Sequence, residues 1–313
     1  MIQRLLNNAL IVGGTGMLGR VVTELLSLEK DTRVHVISRN PPRTQNQTLE
    51  NKPLVAHHAV DVTNTQLFAD CLREVQPTQV IYCAACTDVD KCEIESYLAF
   101  DLHCNGLETV YRYAPEAKLV YISTDAVFDG TTGNYREFSK PNPINQYALS
   151  KRAGEMKALE LFANSIVIRT SIFGFHTYPA TSLAEWALDN LKLNKPIAGF
   201  QDVYFNPVYT IQLARIIIGF IYMNFKGLIH VSSDTSLSKY EFLVRLASIF
   251  GYDTKLIEKK SVDSVIFKAE RPRNITLINT SLKRLIGYVP KLADGLAQFY
   301  SDYTRFNHER ISL

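Results

Sequence analysis

The chain predicts an α/β fold, a doubly wound parallel sheet followed by a smaller mixed lobe, and three observations carry that reading. Short apolar runs alternate with helix-like stretches from Asn8 to Arg169. The first run ends in a glycine turn, Gly13-Gly14-Thr15-Gly16-Met17-Leu18-Gly19. After Thr170 the alternation loosens. Strands of a parallel sheet are buried on both faces and so read as continuous apolar runs. Ligands of such sheets bind at the carboxyl ends of the strands.

In chain order, Asn8 to Val12 reads as a buried strand, Met17 to Leu28 as a helix, Arg33 to Ser38 as a second strand and Leu54 to Val60 as a third. A helix follows near Thr65 to Glu74, then a strand at Gln79 to Cys83, a long helix within Ile94 to Tyr113 and a strand at Lys118 to Ile122. A helix bearing Tyr147 and Lys151 precedes a strand at Ser165 to Arg169. Beyond it, Ser182 to Leu193 and Ile211 to Tyr222 read as helices and Leu228 to Val231 as a strand. The pattern divides into a Rossmann-type dinucleotide-binding domain over residues 1–170 and a substrate-binding lobe over 171–313, with a soft boundary and interwoven lobes. A chain of 313 residues exceeds the size at which single cores stop growing.

Composition narrows the function classes. The net charge of +3 comes from 34 basic and 31 acidic residues spread along the chain, which is not the footprint of a nucleic-acid binder. The apolar stretch Ile216 to Met223 falls far short of the roughly 20 residues needed to span a bilayer. Met1 to Val12 runs straight into the glycine turn, which a cleaved signal peptide would destroy, so a cytoplasmic location is expected. The five cysteines, at 71, 83, 86, 92 and 104, are odd in number and read as reduced thiols. Cys83 and Cys86 form a CxxC, but without a second CxxC or a histidine pair it does not make a zinc site.

Gly13, Gly16 and Gly19 lie at a strand-to-helix junction, where missing side chains admit a pyrophosphate to the amides of Thr15, Met17 and Leu18. The second strand ends in Ser38-Arg39 instead of a carboxylate. A guanidinium forks onto a 2′-phosphate, whereas a carboxylate would repel it, so NADPH is preferred to NADH. Asp61-Val62 after the third strand, and Ala84-Ala85 after the fourth, complete the expected cofactor contacts. Asp61 has a second reading, as a cap on the segment that follows.

Tyr147 and Lys151 stand four apart, on one helical face, behind Ser123-Thr124-Asp125. This spacing lets an ammonium lower the phenol pKa from about 10, as an acid-base tyrosine requires. Thr124 is placed to hold the reacting oxygen, and Asn105 either to relay a proton through water or to bond to backbone.

These segments resemble the extended short-chain dehydrogenase/reductase superfamily and, within it, the dTDP-4-dehydrorhamnose reductase family. The resemblance rests on Gly13 to Gly19, Ala84 to Glu93, Ser123 to Gly130, Tyr147 to Lys151 with Gly154-Glu155, Arg169-Thr170-Ser171 and Arg271-Pro272-Arg273-Asn274. It implies a Thr124–Tyr147–Lys151 triad, an NADPH-type cofactor and reduction of the C4 ketone of a nucleotide-linked 6-deoxy sugar. It also implies substrate contacts from Thr87, Val89, Asp125, Ala126 and Ile172, while His176 and Arg271 are candidates for nucleotide or sugar contacts because the chain after a sixth strand and a late basic loop should face the cleft, a plain surface role being the alternative. Ala126 stands where the family usually has an aromatic residue, Ile172 where it has Trp, and Phe205-Asn206-Pro207-Val208 where it commonly reads Gly-Ala-Pro-Thr. These departures reshape the sugar end of the pocket. Val21 stands where some members carry a metal-binding carboxylate, so no metal is expected. The expected partner is a nucleotide-sugar, with a homodimer left open. Two other readings share the motif set: an epimerase or dehydratase that retains NAD, and a non-catalytic subunit resembling the β subunit of methionine adenosyltransferase.

Overall fold

A computed structural model describes residues 7–30, 32–41, 55–177 and 181–311. The first half runs β1 (Asn7–Val12), α1 (Met17–Leu26), β2 (Thr32–Ser38), β3 (Val55–Ala59), α2 (Thr65–Val75), β4 (Gln79–Tyr82), α3 (Val89–Ile94), α4 (Ser96–Phe100), α5 (Gly106–Tyr113), β5 (Lys118–Ile122), α6 (Gln146–Leu161) and β6 (Ile166–Arg169). The second half adds β7 (Ile172–Phe173), α7 (Leu183–Lys192), β8 (Ile197–Phe200), β9 (Tyr204–Phe205), β10 (Val208–Tyr209), α8 (Thr210–Tyr222), β11 (Gly227–His230), β12 (Leu237–Ser238), α9 (Lys239–Phe250), β13 (Ile257–Lys260), α10 (Thr280–Ile286) and α11 (Leu292–Ile311).

Seven parallel strands form the main sheet in the order β11-β6-β5-β4-β1-β2-β3. The order reverses between β1 and β4, and a crevice opens at such a switch point, outside the carboxyl ends of the two strands. The apolar faces of α1 and α8 cover one side of the sheet through Leu18, Val22, Leu213 and Ile217, and α2, α5 and α6 cover the other through Phe68, Leu107 and Ala158. A third core, which includes a cluster of aromatic rings, joins α7, α9 and α11 through Leu188, Phe242 and Phe299. Burying each such Leu or Phe contributes about 1.5–3 kcal/mol.

The expected elements differ mainly at their ends. Leu54, expected to start the third strand, lies outside the described residues. The helix expected to run within Ile94 to Tyr113 is broken: α4 ends at Phe100, and a π-helical turn, Asp101–Asn105, leads into α5. Such a turn inserts a residue and rotates the side chains that follow. The edge strand β11 comes from the second half of the chain and pairs with β6. Among the described residues no helix is long and apolar enough to cross a membrane.

Candidate active site

The crevice between β1 and β4 is made by close backbone approach. Gly13 has φ +82°, and a Cβ there would lie 2.7 Å from the backbone of Ala84. A Cβ on Gly19 would lie 2.3 Å from the Gly13 carbonyl oxygen, so α1 can start only where the turn has no side chains. Gly16 caps α1 without a side-chain hydrogen bond, and its own amide donates to the Gly13 carbonyl at 3.0 Å. The first-turn amides of Met17, Leu18 and Gly19 therefore face the crevice mouth without a capping side chain, beside half-buried Thr15. Ser38 is buried at the end of β2, its Oγ lacks a partner among the described residues, and Arg39 beside it is exposed. A buried hydroxyl left unpaired is costly and gains from a ligand that bonds it. These features fit a dinucleotide whose pyrophosphate lies on α1 and whose adenosine reaches Ser38 and Arg39.

Asp61 Oδ1 accepts from the Thr63 amide and hydroxyl at 3.0 and 2.8 Å, so it caps the segment that follows, and Val62 packs in the core against α2.

The reacting centre forms where β5 ends and α6 begins. Thr124 is buried, and its hydroxyl accepts from the Ala126 amide and donates to Asp125 Oδ1, each at 3.1 Å. The same hydroxyl acts on the Tyr147 phenol and favours its ionised form. Asn145 starts α6 by accepting from the Ala148 amide at 2.9 Å, which sets Tyr147 in the first turn and Lys151 one turn later.

The electrostatics correct one expectation. Lys151 was expected to lower the Tyr147 pKa, but the phenol is pushed up, because burial outweighs the effect of the Thr124 hydroxyl and nearby Asp125 adds in the same direction. The ammonium turns inward, donates to the Ile122 carbonyl at 2.5 Å and lies 4.3 Å from the Tyr121 ring centroid. Burial draws Lys151 down to about 7 against the opposing charge of Glu155.

Asn105 lies outside this centre, exposed, with its amide on Asp101 Oδ1 at 2.7 Å. The π-helical turn brings His103 inward instead. Its ring meets the Tyr147 ring edge-on at 5.7 Å, Nε2 accepts from the Cys86 amide at 2.9 Å, and Nδ1 lies 2.8 Å from Ser150 Oγ. With Nε2 as the acceptor, the proton sits on Nδ1. Burial and the charge of Lys151 hold this imidazole neutral, drawn down to about 2.

On the substrate side, Thr87 is exposed and Val89 half-buried at the start of α3, and Asp125 and Ala126 follow Thr124. Asp125 Oδ2 is buried without a partner, and burial raises its pKa to about 6 despite the charge of Lys239. Ile172 packs against the sheet core in β7. His176 is engaged away from the triad: its amide and Nδ1 both meet Glu185, at 2.8 Å, in the capping box of α7. Arg271 reaches Asp90 Oδ1 at 3.1 Å and stacks on Phe267. Asp90 also accepts from the Lys268 and Ala269 amides, so it ties this late loop to α3. Asn145 Nδ2 donates to the Glu270 carbonyl at 2.9 Å, and Glu93 accepts from the Gln146 amide at 3.0 Å. Loop, α3 and α6 are thereby clamped around Tyr147.

Sequence reasoning passed over Lys239, which opens α9 with its ammonium 3.5 Å from the Phe205 ring centroid and its pKa drawn by burial to about 8. It also passed over the roles of His103, Asn145 and Asp90. Only Asn145 carried a local signal, that of a residue suited to cap the helix bearing Tyr147.

A family model described as RmlD substrate binding domain matches residues 7–305. "Probable low-salt glycan biosynthesis reductase Agl14" of Haloferax volcanii is 28% identical over 306 residues, covering 95% of this chain and 99% of the relative. Methionine adenosyltransferase 2 subunit beta of Bos taurus is 28% identical, covering 88% and 81% respectively. Among solved structures, dTDP-4-dehydrorhamnose reductase of Bacillus anthracis in complex with NADP superposes with a TM-score of 0.80 at 28% identity, covering 94% of this chain and 98% of that one.

Proposed function

This chain belongs to the RmlD substrate binding domain family, and on that premise we propose that it is an NADPH-dependent reductase of the C4 ketone of a nucleotide-linked 4-keto-6-deoxy sugar, serving glycan synthesis. The observation that carries this reading is the gathering of buried Thr124 at the carboxyl end of β5 with Tyr147 and Lys151 in the first turns of α6, two strands from the Gly13 crevice.

When bound, NADPH supplies the hydride that converts the ketone carbon to an alcohol carbon. Tyr147 donates the proton. Its raised pKa keeps the phenol protonated at neutral pH, which suits an acid that meets a strongly basic alkoxide. Thr124 holds the same oxygen, its hydroxyl fixed by the Ala126 amide. Lys151 would hold the ribose hydroxyls of the cofactor, and its charge would favour the tyrosinate left by proton transfer. His103 orders the Tyr147 ring from behind. Asp125, through its unpartnered oxygen, accepts from a sugar hydroxyl.

The likeness to the cattle methionine adenosyltransferase subunit supports a second reading, in which the chain binds a dinucleotide and regulates a partner. Purified protein mixed with NADPH and dTDP-4-keto-6-deoxyglucose separates the two. The reductase reading expects NADPH oxidation that depends on the sugar, and absence of turnover with every sugar nucleotide supports the regulatory one.

A further inference from the structure

Cys86 and Cys92 flank the N-terminus of α3, six residues apart, in the segment that also carries Thr87 and Val89. The Cys92 thiol donates to the Cys86 carbonyl oxygen at 3.5 Å, and the two thiols act on each other's ionisation. Cys86 is half-buried, whereas Cys92 is 1% exposed. The CxxC partner Cys83 is not part of this contact. Cys83 is half-buried as well, but desolvation pushes its thiol up to about 12. Cys71 and Cys104 are buried, and burial raises both thiols.

We propose that Cys86 and Cys92 form an oxidisable thiol pair, attacked by hydroperoxides at Cys86 and closed to a disulfide by Cys92, whose formation disturbs Tyr147. In the first step the Cys86 thiolate attacks one oxygen of hydrogen peroxide. The O–O bond breaks, the leaving hydroxide takes a proton and departs as water, and Cys86 becomes a sulfenic acid. In the second, Cys92 sulfur attacks the Cys86 sulfur, its thiol proton goes to the departing hydroxyl and a second water leaves. Two thiols lose two electrons and the peroxide gains them.

Two features direct the chemistry to this pair. Neighbouring Cys92 draws the Cys86 thiol below its ordinary value against the effect of burial, helped by the Asp88 backbone and by the charge of Lys91. The thiolate is the nucleophile, so Cys86 reacts ahead of the four thiols that lack this support. The resolving sulfur already touches the Cys86 carbonyl oxygen.

Closure has a structural consequence. A disulfide needs its sulfurs about 2.05 Å apart, well inside hydrogen-bond distance. Cys92 is buried in α3, which Asp90 and Glu93 clamp to the late loop and to α6, so the Cys86 side moves. The Cys86 amide holds His103 Nε2, and His103 packs against Tyr147. A shift at Cys86 is therefore passed to the proton donor through one ring.

The test treats the full-length protein with hydrogen peroxide, alkylates the remaining thiols and maps peptides without reduction. The expected result is a Cys86–Cys92 cross-linked peptide, with ketone reduction falling at least about tenfold and returning on treatment with dithiothreitol. Cys92→Ala should stop at a Cys86 sulfenic acid that dimedone captures, and Cys86→Ser should keep its activity under peroxide. Recovery of both residues as alkylated thiols overturns the site, and a cross-link with undiminished turnover overturns its coupling to Tyr147. The activity arm rests on the proposed ketone reduction, but the peptide map does not. A chain that forms the link yet never reduces a sugar ketone, even when fully reduced, counts against the catalytic reading alone.

Discussion

Lys151 donates its ammonium to the Ile122 carbonyl, 2.5 Å away, and so stores inside the sheet edge the charge that the chemistry needs at its surface. Holding it there costs solvation, which shows as the fall of its pKa to about 7. The folded protein releases this proton near pH 7, whereas an exposed lysine keeps it to about 10.5. Between those values the unfolded chain binds more protons, so this group makes stability rise with pH across the window. The difference in melting temperature between wild type and Lys151→Met should therefore move in favour of the wild type from pH 7 to 10. A constant difference would show that Lys151 titrates normally.

The Gly13 turn carries the cofactor reading. Alanine at this position must adopt a positive φ, costing about 1–2 kcal/mol, and its Cβ would overlap the Ala84 backbone. Gly13→Ala should bind NADPH at least about tenfold more weakly in a fluorescence titration. Unchanged affinity would place the dinucleotide elsewhere.

Arg39 sits exposed beside the unpartnered Ser38 hydroxyl. If it meets a 2′-phosphate, removing it takes away a charge-assisted hydrogen bond worth about 1.5–3 kcal/mol. Arg39→Ala should raise the KM for NADPH by about 10- to 100-fold and leave that for NADH nearly unchanged. Equal effects on both cofactors would dissociate Arg39 from the phosphate.

Most of the sheet was legible because parallel strands bury both faces and leave plain apolar runs, and Tyr147 and Lys151 because one helical turn fixes their spacing. What could not be read depends on contacts distant in the chain. The π-helical turn that exchanges Asn105 for His103 has no local signature. The inward bond of Lys151 depends on a carbonyl 29 residues away, and the Asp90–Arg271 clamp joins opposite ends of the sequence. Tyr147 gave its position from spacing but not its pKa, because burial, which spacing does not encode, outweighs its neighbours.

Glu155 supports the centre from beneath. Arg169 Nε and Nη2 each donate to it at 2.8 Å, Ser123 at 2.6 Å and Arg152 at 2.8 Å. Burial pushes this carboxylate up, but the hydrogen bonds and charge of Arg169 outweigh it and hold the pKa below the ordinary value. Arg169→Met strands a buried charge, and chemical denaturation should show a loss of about 3–5 kcal/mol. A loss under 1 kcal/mol would mean that the site relaxes or admits water.

The central claim is that hydride passes to the sugar's C4 while Tyr147 protonates its oxygen. The direct measurement is turnover of NADPH deuterated at the nicotinamide C4, with dTDP-4-keto-6-deoxyglucose as acceptor, followed by NMR of the sugar product. The account predicts deuterium at C4 of the product, and a rate about 10²–10⁴-fold lower in Tyr147→Phe. Product without deuterium, or equal rates in the two proteins, would contradict it.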